Sequence, residues 1–105
     1  MIESSKINDI VARIAMNFNP DKIILFGSYA NGTFNNDSDL DLLIIKDTDL
    51  PRHRRCFDIQ KMLIGSMIPM DIFVYTNNEF ENEKNEKYSF LNSVIKTSKI
   101  LYERK

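Results

Sequence analysis

Lys22-Ile23-Ile24-Leu25-Phe26-Gly27-Ser28 and Asp39-Leu40-Asp41-Leu42-Leu43-Ile44-Ile45 are the two stretches that decide how this chain folds. The first is a short, β-rich apolar run ending on a glycine, so it predicts a buried strand that delivers the chain into a turn. The second predicts another strand, whose first half alternates acid and leucine and whose remainder is apolar on both faces. Between them, Tyr29 to Ser38 is dominated by Asn, Gly, Thr, Asp and Ser. Such residues reach positive φ or hydrogen-bond their own backbone, so a polar loop is expected there.

Working outward, Ile7, Ile10, Val11, Ile14, Ala15 and Phe18 recur at three- and four-residue steps, which predicts a helix over about Ser4 to Asn17 with one apolar stripe. Ser4 or Ser5 is the expected cap and Asn19-Pro20 the stop. Downstream, Leu50-Pro51 opens a predicted helix to Ile64, with Cys56, Ile59 and Leu63 on one face and Gly65 at its end. Met70 to Tyr75 is a third strand, Thr76 to Asn85 a polar lead-in, and Lys87 to Tyr102 a last helix. The expectation is therefore a single α+β (α/β-like) domain over residues 1–105, a small mixed β-sheet in the order α-β-β-α-β-α. Its three strands are expected to be covered by helices on one side, with strand order left open.

Composition narrows the chemistry. The 105 residues carry 14 Lys+Arg and 15 Asp+Glu, a net charge of −1, so a basic field that binds DNA directly is not expected. One cysteine, Cys56, and one histidine, His53, exclude an internal disulfide framework and a zinc site made from Cys and His pairs. The start of the chain has no secretory pattern and no stretch approaches the roughly 20 apolar residues of a membrane span, which implies a cytoplasmic setting. At this size there is one core, and little chain for a separate substrate domain.

The residues that carry chemistry are Gly27-Ser28 at the end of one strand and Asp39 with Asp41 at the start of the next. Residues two apart on a strand project to one face about 6.6 Å from each other. Two such carboxylates repel unless a cation screens them, and hard oxygen donors select Mg²⁺ or Mn²⁺. Asp has poor strand propensity, so Asp39 and Asp41 read as functional, whereas Asp37-Ser38 reads as an ordinary turn. A calcium loop is excluded, because the sixth position is Leu42 and the twelfth Thr48. A glycine lets backbone amides approach an anion and the adjacent serine adds a donor, so Gly27-Ser28 is a candidate phosphate corner. No Gly-Lys-Ser/Thr follows, which excludes a P-loop.

Gly27-Ser28-Tyr29-Ala30-Asn31-Gly32, followed by Asp39-Leu40-Asp41-Leu42-Leu43, resembles the Gly-Ser…Asp-x-Asp signature of the DNA polymerase beta-like nucleotidyltransferases. Within that superfamily the chain is similar to the minimal nucleotidyltransferases (MNT), the antitoxin-type partners of helical HEPN proteins. The resemblance implies a two-metal site. Asp39 and Asp41 match the metal-binding acids, Gly27 and Ser28 match the pair that holds the terminal phosphates, and Asp71 is the candidate third acid on a later strand. It further implies two Mg²⁺ ions, ATP as substrate and transfer of AMP to a hydroxyl on a HEPN-type partner; exposed apolar residues of the expected last helix are open either to that partner or to a second copy of the chain, a homo-oligomer. The rival is a non-catalytic antitoxin that neutralises its partner by contact. Many relatives carry Arg where this chain has Asn31; Arg52, Arg54, Arg55 and Lys46 are either replacements for that charge or a solvated face. His53 reads as exposed, and Cys56 as a small core residue.

Overall fold

The computed structural model describes residues 2–104. Helix α1 (Ser4–Phe18) leads into β1 (Lys22–Phe26), a single helical turn α2 (Ser28–Asn31) and β2 (Leu40–Ile45). A crossover containing α3 (Phe57–Met62) connects to β3 (Met70–Tyr75). Helices α4 (Asn77–Glu83) and α5 (Phe90–Ile95) then precede β4 (Lys99–Glu103). The sheet order is β3-β2-β1-β4. β1 is antiparallel to both β2 and β4, while β2 and β3 run parallel and in register from Leu40–Met70 to Ile45–Tyr75.

β1 and β2 are buried on both faces, as their unbroken hydrophobic runs demand, whereas β3 leaves Asp71 and Phe73 exposed on one face. On one face Ile10, Val11 and Ile14 of α1, with Ile59 and Leu63 of the crossover, pack on Ile23, Leu25, Leu42, Ile44, Ile72 and Val74. On the other, Phe80, Leu91 and Val94 of α4 and α5 pack on Ile24, Phe26, Leu43, Ile45 and Tyr75. The helices therefore lie on both sides of the sheet, not one.

The mixed sheet and the three foreseen strands agree with the sequence reading, and several boundaries do not. Residues 87–102 form no continuous helix: Thr97 N–H and Ser98 Oγ turn back onto the carbonyls of Val94 and Ile95, and the chain leaves as β4 to satisfy the second edge of β1. The lead-in 76–85 is helical because Thr76 and Glu79 form a reciprocal capping box. In the expected polar loop, Tyr29 and Ala30 are buried and α2 makes one turn. The predicted helix 51–64 is broken into a 3₁₀ turn at Arg52–Arg54, α3, and a second 3₁₀ turn at Ile64–Ser66. Neither Ser4 nor Ser5 caps α1; Glu3 occupies that position, whereas Asn19 ends the helix in the left-handed region as foreseen (φ 48°). No described helix is long and apolar enough to cross a membrane.

The arginine run is structural. Arg55 bonds the Leu50 and Val74 carbonyls and both oxygens of Glu79, and Arg52 bonds Glu79 and Glu83 while stacking on the Tyr75 ring at 4.5 Å. This joins the crossover to α4 across the end of β3. The hydrogen bond from Arg55 is the main reason the Glu79 carboxyl falls to about 2. A depressed carboxyl contributes stability that is complete above its ordinary value of 4.5 and lost as pH falls toward 2. Arg55→Ala should therefore cost about 2 kcal/mol in urea unfolding at pH 7, and the deficit should shrink as the pH is lowered through that window.

Candidate active site

Asp41 owes its position to β2. The strand lies between β1 and β3, so Asp41 pairs with Phe26 on one side and with Asp71 on the other. In-register residues of neighbouring strands project to the same face, so the two carboxylates stand side by side at the sheet's end, above the row that continues into Phe73, Leu43 and Ile24. Asp41 is half-buried and Asp71 exposed. Asp39 is exposed, immediately before the strand.

Electrostatics record this crowding. Partial burial pushes the Asp41 carboxyl from 3.8 up to about 6, with further contributions from the charges of Asp71 and Asp39 and from a hydrogen bond to Asp71. Asp71, its in-register neighbour, thus acts directly on Asp41, and Asp39 acts on it through its charge. Among the described residues, no three His, Cys, Asp or Glu side chains are closed around one point as a ready ion cage.

Gly27 is part of the same corner. It caps α2 with φ 74°, a conformation that disfavours other residues, and its carbonyl accepts the amides of Ala30 and Asn31. A Cβ built on it would collide with Oδ2 of Asp41 and lie 3.2 Å from its Cγ. The glycine is required twice, for its backbone and for the space the carboxylate fills. Ser28, half-buried, begins the turn, and its carbonyl accepts the amides of Gly32 and Thr33.

The structure thus brings Gly27, Ser28, Asp41 and Asp71 to one end of the sheet, with Asp39 beside them. It does not bring the basic run there. Arg52 and Arg55 cluster with Tyr75 at the far end of β3, four residues and about 13 Å of strand from Asp71. Lys46 Nζ is bonded to the Phe18 carbonyl. Asn31 braces the next turn, its Oδ1 accepting from the amide and hydroxyl of Thr33. His53 is exposed, and Cys56 packs at the margin of the core. A hollow of about 340 Å³ at the end of the crossover, lined by Leu63, Ile64, Met67 and Met70 among others, has no titratable side chain in its wall. What sequence reasoning missed near the acids is aromatic: Phe26, Phe73 and Phe90 pack together on their face of the sheet. Phe90 lay inside the predicted last helix, and nothing in its spacing signalled this meeting.

The family model "Polymerase beta, Nucleotidyltransferase" matches residues 8–105. The chain belongs to the polymerase beta nucleotidyltransferase family. A relative from Methanocaldococcus jannaschii, named "Putative protein adenylyltransferase", is 34% identical over 82 residues, 77% of each chain. Two crystal structures share the nucleotidyltransferase fold seen here. One, described as a "putative nucleotidyltransferase" from Sulfolobus solfataricus, superposes with a TM-score of 0.68 at 19% identity over 95% of this chain and 79% of its own. The other, a toxin–antitoxin with AMP-PNP, gives 0.64 at 20% identity over 92% and 73%.

Two substitutions test the geometry. Asp41 has a raised carboxyl in the fold, so between about 3.8 and 6 the native state binds more protons than the unfolded one and stability falls as pH rises. In metal-free buffer Asp41→Asn should match the wild type near pH 3.5 and melt at higher temperature above pH 6. Gly27→Ala should lower stability by about 1–3 kcal/mol, since it meets both the positive φ and the Asp41 carboxylate. Thermal melts of both variants across pH check these outcomes.

Proposed function

We propose that this nucleotidyltransferase moves AMP from ATP onto a hydroxyl of a partner protein, as the antitoxin of a HEPN/MNT pair. The observation that carries the reading is the in-register meeting of Asp41 with Asp71 beside Gly27. The adenylyltransferase name of the Methanocaldococcus relative supports the transferred group, and the toxin–antitoxin neighbour supports the kind of partner.

The donor set fits hard divalent ions: the acids of the corner offer carboxylate oxygens, and partial burial together with the charges of Asp71 and Asp39 raises the Asp41 carboxyl, a penalty a cation would relieve. Asp39, Asp41 and Asp71 would hold two Mg²⁺ ions, which when bound polarise the α-phosphate and screen the charge of departing pyrophosphate. Gly27 and Ser28 hold the terminal phosphates through backbone amides and the serine hydroxyl. The acceptor oxygen forms its bond to the α-phosphorus as the bond to the β-phosphate oxygen breaks, and Asp71 takes the hydroxyl proton. The chain's part is mainly positioning and charge placement, which dominate phosphoryl-type transfers.

Incubation of the chain with Mg²⁺, ATP labelled at the α-phosphate and its HEPN-type partner should label the partner. Asp39→Ala and Asp41→Ala should each lower the rate by about two to three orders of magnitude. Partner neutralisation that survives both substitutions, without any label in the wild type, would instead establish the contact-only antitoxin.

A further inference from the structure

Phe26, Phe73 and Phe90 form a closed aromatic trio. Ring centroids are 5.8 Å apart for Phe26–Phe73, 5.7 Å for Phe26–Phe90 and 5.2 Å for Phe73–Phe90. Phe26 is buried, but Phe73 and Phe90 keep 38% and 44% of their surface exposed. Two adjacent rings partly open to water form a small apolar patch. Their place is not arbitrary: Phe26 pairs directly with Asp41, and Phe73 is two residues along the same strand face from Asp71, about 6.6 Å away.

The backbone is committed to presenting Phe90 there. Tyr88 sits at φ 73°, a genuine outlier for an aromatic residue, just before α5 begins. The bend is held by Ser89, whose hydroxyl donates to the Glu83 carbonyl at 2.7 Å and accepts the Asn92 amide at 3.0 Å, and by Asn92, which bonds the Lys84 carbonyl at 3.1 Å. Backbone strain held in place by surrounding bonds points to a function for the segment it positions.

We propose that the exposed parts of Phe73 and Phe90, two rings tilted 47° to one another and backed by Phe26, are the platform that takes the purine base of the nucleotide, by stacking on one ring and contact with the other, while its phosphates lie at the acid corner. This rests on the nucleotidyl-transfer reading and adds to it the subsite that recognises the base. Phenyl rings carry no hydrogen-bonding groups, so the platform recognises the base by its π-face and apolar area.

Calorimetric titration of the whole chain with ATP and with inorganic tripolyphosphate, both in Mg²⁺, tests the platform. Wild type should bind ATP more tightly than tripolyphosphate. Phe73→Leu and Phe90→Leu keep the apolar packing and remove the ring; each should weaken ATP about tenfold and leave tripolyphosphate unchanged. Folded Leu variants with unchanged ATP affinity, or with equal losses for both ligands, overturn the proposal. Should the variants fail to fold, magnetisation transfer from phenylalanine ring protons to the adenine protons of ATP in the wild type decides it, and absence of transfer is a refutation. Tripolyphosphate binding with ATP no tighter rejects the platform alone; wild type that binds neither rejects the transfer reading and the platform with it.

Discussion

Parallel pairing of β2 with β3 is the constraint on which the rest of the molecule depends. A parallel pair cannot be closed by a hairpin, so the chain must cross one face of the sheet and return. The segment 46–69 does this, burying Ile59 and Leu63 against the same face as α1. The register of that pair decides which side chains share a face, and a slip of one residue would send Asp71 to the opposite side from Asp41. Buried partners hold the register: Leu40, Leu42 and Ile44 are fully buried on the α1 face and Leu43 and Ile45 on the other, so β2 has no alternative alignment that keeps them dry.

A core this complete explains how the fold tolerates an unfavourable corner. Partial burial desolvates Asp41, and the carboxylate of Asp71 on the adjacent strand adds repulsion. Neither effect favours folding, and the apolar strand interiors below them supply what offsets both. The acids lie at the strand ends, at the margin of the core, and the arginines that stabilise the fold are at the other end, bonded to Glu79 and Glu83. This separation keeps the positive groups from neutralising Asp41 and Asp71 permanently. Arginines close to those acids would stabilise the apo fold and oppose any exchangeable cation.

How much of this was legible in the sequence follows from which signals are local. The runs Lys22–Phe26, Leu40–Ile45 and Met70–Tyr75 declare strands through their short β-rich apolar composition, and the glycine after the first is a local steric requirement. The fourth strand, Lys99–Glu103, is half exposed and alternates poorly, so its apolar residues extend the helical pattern of Phe90 to Ile95 without a break. Only the unpaired edge of β1, a tertiary fact, tells it to be a strand. Helix α4 did carry a readable sign, Thr76 with Glu79 three residues on, which polar composition concealed. The roles of Arg52 and Arg55 were out of reach for a different reason: both act on α4, and a basic run looks the same in sequence whether it faces solvent or a carboxylate.

The two faces of the sheet divide the work along the same lines. The α1 face is closed by aliphatic side chains of α1 and the crossover, whereas the α4–α5 face begins with Asp41 and Asp71 and passes through Phe73 and Phe90 before it becomes core at Ile45, Tyr75 and Leu91. Polarity therefore changes gradually along one surface, from charge to open aromatic to buried aliphatic. On the proposed reading a nucleotide has the matching gradient, with phosphates at one end and a flat, weakly hydrated base at the other. Phe73 keeps 38% of its surface exposed beside α5, and Phe90, the first residue of that helix, keeps 44%.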